Sequence, residues 1–464
     1  MLRSLFLFAL SVPGIASANG RPFVHLFEWK WSEVAKECRH WLGPKGIRAV
    51  QVSPPQEHVV LEGRPWYERY QVVSYRIESR GGSRAEFAAM MRDCARAGVE
   101  VYVDAVLNHT TARPPQGQAA SGSFGSVFRA YEYPGLYQAR DFHRCGRHGD
   151  GQIRDWRDRW EIQNCDLLGL SDLATGSAHV RSTLAAYLRD LLGLGASGFR
   201  IDAAKHIPAR DLEAIYAKVG RPFFAYHESI DDGDHEVVRA AEYFPLGKVL
   251  SFKYGADLAR VFKRGSLAWL ANFGEPWGYP PSAKAVVFLE NHDTQRAHVG
   301  DGDVLGAKDG DIYRLASLFM LAWPYGQPQI LSSYDFTNDA QGPPATTASA
   351  CAKGWRCEHR LDFVAPLLAL REHAGETPVT HWWSDGRNRI AFGRGDRAFV
   401  VLNRESSTMS ASLPTGLAPG SYRDPLSKRI WRIESDGRLE ARVGPRDAIV
   451  LAPGLSAPRG PLRR

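Results

Sequence analysis

The chain has 464 residues, 44% of them hydrophobic and 23% charged. That length exceeds one ordinary domain and that balance excludes disorder, so two or three domains around a large core are expected. Lys and Arg (58) exceed Asp and Glu (51) by seven. No run of like charge stands out, so nucleic acid is not expected as a partner.

In chain order, residues 1–18 read as a signal peptide. Met1-Leu2-Arg3 is a basic start, an apolar stretch follows, and Ala16-Ser17-Ala18 offers small residues for cleavage. No later segment reaches about 18 uninterrupted apolar residues, so a secreted protein is expected, extracellular or periplasmic and without a membrane span. The six cysteines suit an oxidising compartment, although six allow about 15 pairings. Cys351 and Cys357 are close enough to staple one loop, and no CxxC pair suggests zinc.

Apolar, β-branched runs then alternate with longer amphipathic stretches. Strands are predicted at His25–Trp29, Ile47–Val52, Glu100–Val106, Gly198–Asp202, Phe223–His227, Val249–Lys253, Ala285–Leu289 and Gln329–Ser332. Helices are predicted at Ser83–Ala97, Val180–Leu192 and Arg210–Val219. Eight strands with helices between them suggest a (β/α)8 barrel, although a doubly wound sheet has the same alternation. The barrel would occupy residues 19–109 and 173–376. A Gly-, Arg- and aromatic-rich insertion fills residues 110–172 after the third strand. Short alternating runs from residue 377 to 455, such as Arg389–Phe392 and Ala398–Leu402, predict a small antiparallel β domain. Residues 456–464 read as a frayed tail.

Catalytic groups of such a barrel gather where its strands end, because the loops there converge over one cavity. The third strand runs out as Asp104-Ala-Val-Leu-Asn108-His109, the fourth as Arg200-Ile-Asp202-Ala-Ala-Lys205-His206. The fifth ends His227-Glu228, and the seventh runs into Glu290-Asn291-His292-Asp293. Together these resemble the four short conserved regions of the α-amylase family of glycoside hydrolases. The stretches His25-Leu-Phe-Glu28-Trp29, Gln51-Val-Ser-Pro-Pro-Gln56 and Trp66-Tyr67-Glu68-Arg69-Tyr70-Gln71, with Gly393-Arg-Gly, are most similar to the animal-type subgroup.

The resemblance implies a TIM barrel, an inserted domain B after strand 3 and a C-terminal antiparallel β-sandwich. It implies an α-glucan substrate, with Asp202 as nucleophile, Glu228 as general acid/base and Asp293 as the acid that stabilises the transition state. Retaining cleavage needs one ionised and one protonated carboxyl group at a single pH. Arg200, two residues before Asp202, shares its side of the strand and favours its ionised form. Trp66, Tyr67, Tyr70, Gln71, His109, Arg200, Lys205, His206, His292 and His298 match substrate-binding positions. Asn108 and Asp172, through side chains, and Gln163 and His206, through carbonyls, match a calcium site. Cys38–Cys94, Cys145–Cys165 and Cys351–Cys357 are the implied disulfides. Of the subgroup's chloride ligands Arg200 and Asn291 remain, but Gln329 stands where a second basic residue is expected, so chloride is not expected as a cofactor. The acidic, Gly-rich run Gly300–Asp311 reads as a mobile substrate-side loop.

The reading is a monomeric, endo-acting hydrolase of α-1,4 bonds in starch and glycogen. An exo-acting maltooligosaccharide-forming hydrolase or a transglycosylase would use the same machinery. A non-catalytic glucan-binding protein is the alternative of another class.

Overall fold

The computed structural model describes residues 20–231, 233, 235–296, 302–351 and 354–454. The expected signal peptide, His298 and the tail at 456–464 lie outside the described residues.

Eight parallel strands close into a barrel: β1 Phe23–Leu26, β2 Ala49–Val52, β3 Glu100–Val106, β4 Gly198–Asp202, β5 Phe224–His227, β6 Lys248–Leu250, β7 Ala285–Val287 and β8 Gln327–Ser332. Each pairs with the next, and β8 returns to β1 with Phe23 opposite Gln329. Side chains alternate along a strand, so each strand sends every second residue inward. Phe23, Ala49, Tyr102, Tyr226, Leu250 and Val286 make one apolar cluster, with Phe23 5.4 Å from both Tyr102 and Tyr226. Two residues further along the chain stand His25, Gln51, Asp104 and, just past the end of β5, Glu228. The barrel is thus plugged by rings at its base and lined by polar groups toward the strand ends.

The strands match those predicted, with shifted edges. Strand β1 stops at Leu26 because Glu28 adopts φ 65°, outside the extended region. Strand β6 stops at Leu250 because Phe252 already begins the helix Phe252–Arg264, so the predicted run to Lys253 crosses the boundary at Ser251. Helices return outside the barrel where the amphipathic stretches predict them. Arg84–Arg96 starts at a capping box in which Ser83 and Glu86 exchange hydrogen bonds. Ala178–Leu194 ends at Gly195, whose φ of 111° is accessible to glycine at little cost.

Between β3 and the helix at 178 the chain leaves the barrel. His109–Ala112 pairs antiparallel with Leu170–Asp172, and Cys145–Cys165 ties the excursion together. The other two disulfides are Cys38–Cys94 and Cys351–Cys357, so all three pairings follow the family resemblance.

Beyond the barrel, β9 Val379–Ser384, β10 Arg389–Arg394, β11 Ala398–Asn403, β12 Met409–Pro414, β13 Gly420–Arg423, β14 Ile430–Ile433, β15 Arg438–Val443 and β16 Asp447–Leu451 form two four-stranded antiparallel sheets, ordered β9-β10-β11-β16 and β12-β15-β14-β13. Ala391, Phe399, Val401, Leu413, Trp431, Leu439 and Ile449 fill the space between them. Among the described residues no helix is long and apolar enough to cross a membrane.

Candidate active site

Arg200 and Asp104 are lateral neighbours on β4 and β3. The Arg200 guanidinium donates through Nη1 to Asp104 Oδ1 at 2.7 Å and to Asp202 Oδ1 at 2.8 Å. Its Nη2 lies 2.6 Å from Glu228 Oε1. One buried cation therefore holds acids from three strands. Ala203, directly after Asp202, sits at φ 49°, an uncommon conformation for a residue with a Cβ. That turn presents its N–H to Glu228 Oε2 at 2.9 Å. Asp293 enters from the β7 side, its N–H donating to Asn291 Oδ1 at 3.0 Å.

Burial pushes Asp202, Glu228 and Asp293 above the ordinary carboxylate range. The Arg200 charge pulls each of them back. They differ in the rest of their surroundings. Around Asp202 the electrostatic partner is the cation. Glu228 is also raised by the Asp202 charge, and Asp293 by Glu228, Asp202 and Asp104. The arrangement thus favours ionisation at Asp202 and retention of protons on its neighbours. Asp104 itself is pushed up to about 7, chiefly by burial and despite Arg200.

Several of the expected substrate positions lie beside this cluster. The His109 ring is 3.9 Å from Asp202 Oδ2 and 3.0 Å from the Tyr70 carbonyl. Burial lowers its pKa to about 4, leaving it neutral near pH 7. His292 Nε2 is 3.3 Å from Asp293 Oδ2. Trp66, Tyr67 and Tyr70 lie on one short helical turn, Trp66–Tyr70. Tyr67 is 37% exposed, whereas the Tyr70 hydroxyl donates inward to Asp104 Oδ2 at 3.0 Å. Gln71 Oε1 accepts from Ala112 N at 3.0 Å, linking the turn to the excursion. Lys205 is buried, its ammonium held by Glu236 Oε2 at 2.6 Å and the Ile230 carbonyl at 2.8 Å. The structure therefore gives Lys205 an ion pair rather than an open contact.

Other residues join the site that the sequence does not single out for it. Asp104 is bonded to Arg200 and Tyr70 and accepts from Gln51 Nε2 at 3.3 Å. The signal was its place at a strand end, but only the lateral register shows that it faces Arg200. Arg80 supports the Trp66 turn, donating to the Trp66 and Pro65 carbonyls at 3.1 Å and to Glu28 Oε2 at 2.7 Å. Trp156, 49% exposed, stands edge-on to His206 at 6.0 Å.

Asn108 and Asp172 lie on facing segments, with Leu173 N donating to the Asn108 carbonyl at 2.9 Å. His206 Nδ1 is 2.8 Å from the Ile162 carbonyl, next to Gln163. Asp172 Oδ1 is buried without a hydrogen-bond partner. Burial pushes the Asp172 carboxyl up to about 7 even with His143 beside it. An acid this short of positive charge, among amide and carbonyl oxygens, fits a hard divalent cation. Among the described residues no three His, Cys, Asp or Glu side chains make a metal cluster, so such an ion would rely on those neutral oxygens.

The α-amylase catalytic-domain profile matches residues 46–222, and the α-amylase C-terminal all-beta profile matches residues 382–454. An α-amylase of Streptomyces violaceus is 42% identical over 451 residues, covering 96% of this chain and 77% of that protein. The chain belongs to the α-amylase family. An α-amylase-related protein of Drosophila willistoni is 39% identical over 436 residues, covering 88% of this chain and 86% of its own length. The crystal structure of α-amylase I from Eisenia fetida has a TM-score of 0.88 at 37% identity, covering 93% of this chain and 97% of that one. A variant of that earthworm enzyme in complex with maltohexaose also has a TM-score of 0.88. Family membership makes the protein an α-amylase-type enzyme.

Proposed function

We propose that the protein is an exported α-amylase that cuts internal α-1,4-glucosidic bonds of starch and glycogen with retention of anomeric configuration. The observation that carries this reading is the gathering of Asp202, Glu228 and Asp293 about Arg200. Asp202, ionised beside Arg200, attacks the anomeric carbon while Glu228 protonates the departing glycosidic oxygen. Water, deprotonated by Glu228, then attacks the anomeric carbon and breaks its bond to Asp202, freeing the sugar and restoring the Asp202 carboxylate and the protonated Glu228. Asp293, itself held toward the protonated form, orients the sugar hydroxyls. Neutral His109 can donate or accept toward the sugar, His292 stands beside Asp293 to contact the sugar as well, and Trp66, Tyr67 and Tyr70 give its C–H face a wall of rings.

We assign the calcium site to Asn108 and Asp172 with the carbonyls of Gln163 and His206. The ion would neutralise Asp172 and tie the excursion, which we delimit as domain B at residues 110–172, to the barrel. Chloride has no such place in this reading. Gln329 is neutral, and its amide already donates to Gln51 Oε1. The three disulfides support an extracellular or periplasmic site of action.

Timed digestion of amylose, followed by product sizing and by proton NMR of the new reducing ends, tests the function. The expected result is rapid chain shortening with mixed oligosaccharides whose new ends are first α. A single small product released from chain ends, products longer than the substrate, or β-anomers appearing first would overturn it.

A further inference from the structure

Arg296 is 2% exposed and belongs to the short turn Thr294–Arg296 just after Asp293. Among the described residues it makes no ion pair with a carboxylate. Four rings surround its guanidinium: Phe336 at 4.3 Å, Phe27 and Tyr334 at 5.1 Å, and Trp66 at 5.4 Å. Its Nη1 donates to the His292 carbonyl at 2.9 Å. A cation so deeply buried is costly unless its surroundings compensate it, and here the compensation comes from the ring faces, from the Tyr334 hydroxyl and from the charges of Asp293 and Glu28.

Two of the rings it touches also pack on His292: Phe27 stacks on the imidazole at 4.8 Å and Trp66 meets it edge-on at 5.4 Å. Tyr70 also stacks on it, at 5.3 Å. The elements involved follow β1, β2, β7 and β8, so this one cation gathers loops from four strands. Resting on the reading of the cleft given above, we propose that Arg296 is a positioning residue that fixes the planes of His292 and Trp66 against the bound sugar. It touches no reacting atom. It acts by clamping the His292 backbone while fixing Phe27 and Trp66, two of the rings that pack on the imidazole.

The test compares Arg296→Met, which keeps length but not charge, with Arg296→Lys, which keeps charge but not the planar fork. Both are assayed on maltoheptaose well below their unfolding temperatures, alongside Glu228→Gln as a check of the reading itself. Arg296→Met is expected to lower kcat at least tenfold with KM within about threefold, and to change the near-ultraviolet circular dichroism of the aromatic cluster. Arg296→Lys is expected to recover part of the kcat and most of the stability. A folded Arg296→Met or Arg296→Lys variant with wild-type kcat overturns the proposal, as does a loss that tracks unfolding temperature alone. Should Arg296→Met fail to fold, Arg296→Lys decides by the same kcat criterion. If Glu228→Gln stays fully active, it is instead the reading of the cleft that fails.

Discussion

Arg200 illustrates how one side chain can set three others. Its charge lies against Asp104, Asp202 and Glu228, and it stands opposite Asp104 because β3 and β4 are in that register. The sequence shows Arg200 and Asp202 two residues apart on a strand, which is enough to pair them. It cannot show Asp104, which lies 96 residues away. A chloride-free assay tests the neighbouring substitution at Gln329. Adding NaCl is expected to leave kcat within about twofold, since a neutral amide supplies no charge to hold an anion in a partly buried site; a many-fold rise would contradict this. A second buried acid pair lies just behind the cleft. Burial, and then the charge of Glu358, pushes Glu290 up to about 8, and burial pushes Glu358 up to about 7. Both values stand above the ordinary 4.5. The protonated pair therefore stabilises the fold fully below that value, and its contribution is lost as pH climbs through about 7 to 8. Glu290→Gln stays neutral throughout and can still accept from Ala307 N. Its unfolding temperature relative to wild type is expected to rise between about pH 5 and about pH 8.5. A constant difference across that range would refute the linkage.

At the scale of elements, the eight barrel strands were legible because a parallel strand buried on both faces reads as an apolar, β-branched run. Their edges were less legible. Residues 249–253 read Val-Leu-Ser-Phe-Lys, an alternation that passes for a strand end, whereas β6 stops at Leu250 and Ser251 stands at the N-cap of the next helix. The β-sandwich joins the barrel through apolar packing, with Phe392 against Phe319 and Trp323, and through arginines reaching backbone carbonyls, and this second part was not legible in the sequence. Arg394, on β10, donates to the Ala322 and Gly375 carbonyls at 2.6 Å. Arg404, just after β11, donates to the Gly265 carbonyl at 2.7 Å and the Phe262 carbonyl at 2.9 Å. Both therefore cap helix ends whose carbonyls would otherwise lack partners. Replacing Arg404 by Met is expected to cost about 2–4 kcal/mol, the range for losing a few buried charge-assisted bonds. Calorimetry should show a lower unfolding temperature while kcat at low temperature is unchanged. A change in kcat without a change in unfolding would contradict a purely structural clamp.

For the whole molecule, the barrel, the excursion and the β-sandwich divide the work. The barrel places acids at one mouth, the excursion closes over it through the His109–Asp172 pairing, and the sandwich braces the barrel helices from outside. The calcium assignment spans the first two. Removing the ion with a chelator is expected to lower the unfolding temperature and the activity together, with both restored by calcium and not by magnesium, which demands a tighter octahedral site. Full activity and unchanged melting after exhaustive chelation would contradict the assignment. The central claim is that three carboxyl groups from separate stretches of the chain break the bond between glucose units. Its most direct test is the turnover of maltoheptaose by Glu228→Gln, a substitution that keeps the shape and removes the titratable proton. A fall in kcat of about 10²–10⁴-fold or more, with the fold intact, is the result this account requires; turnover at the wild-type rate would contradict it.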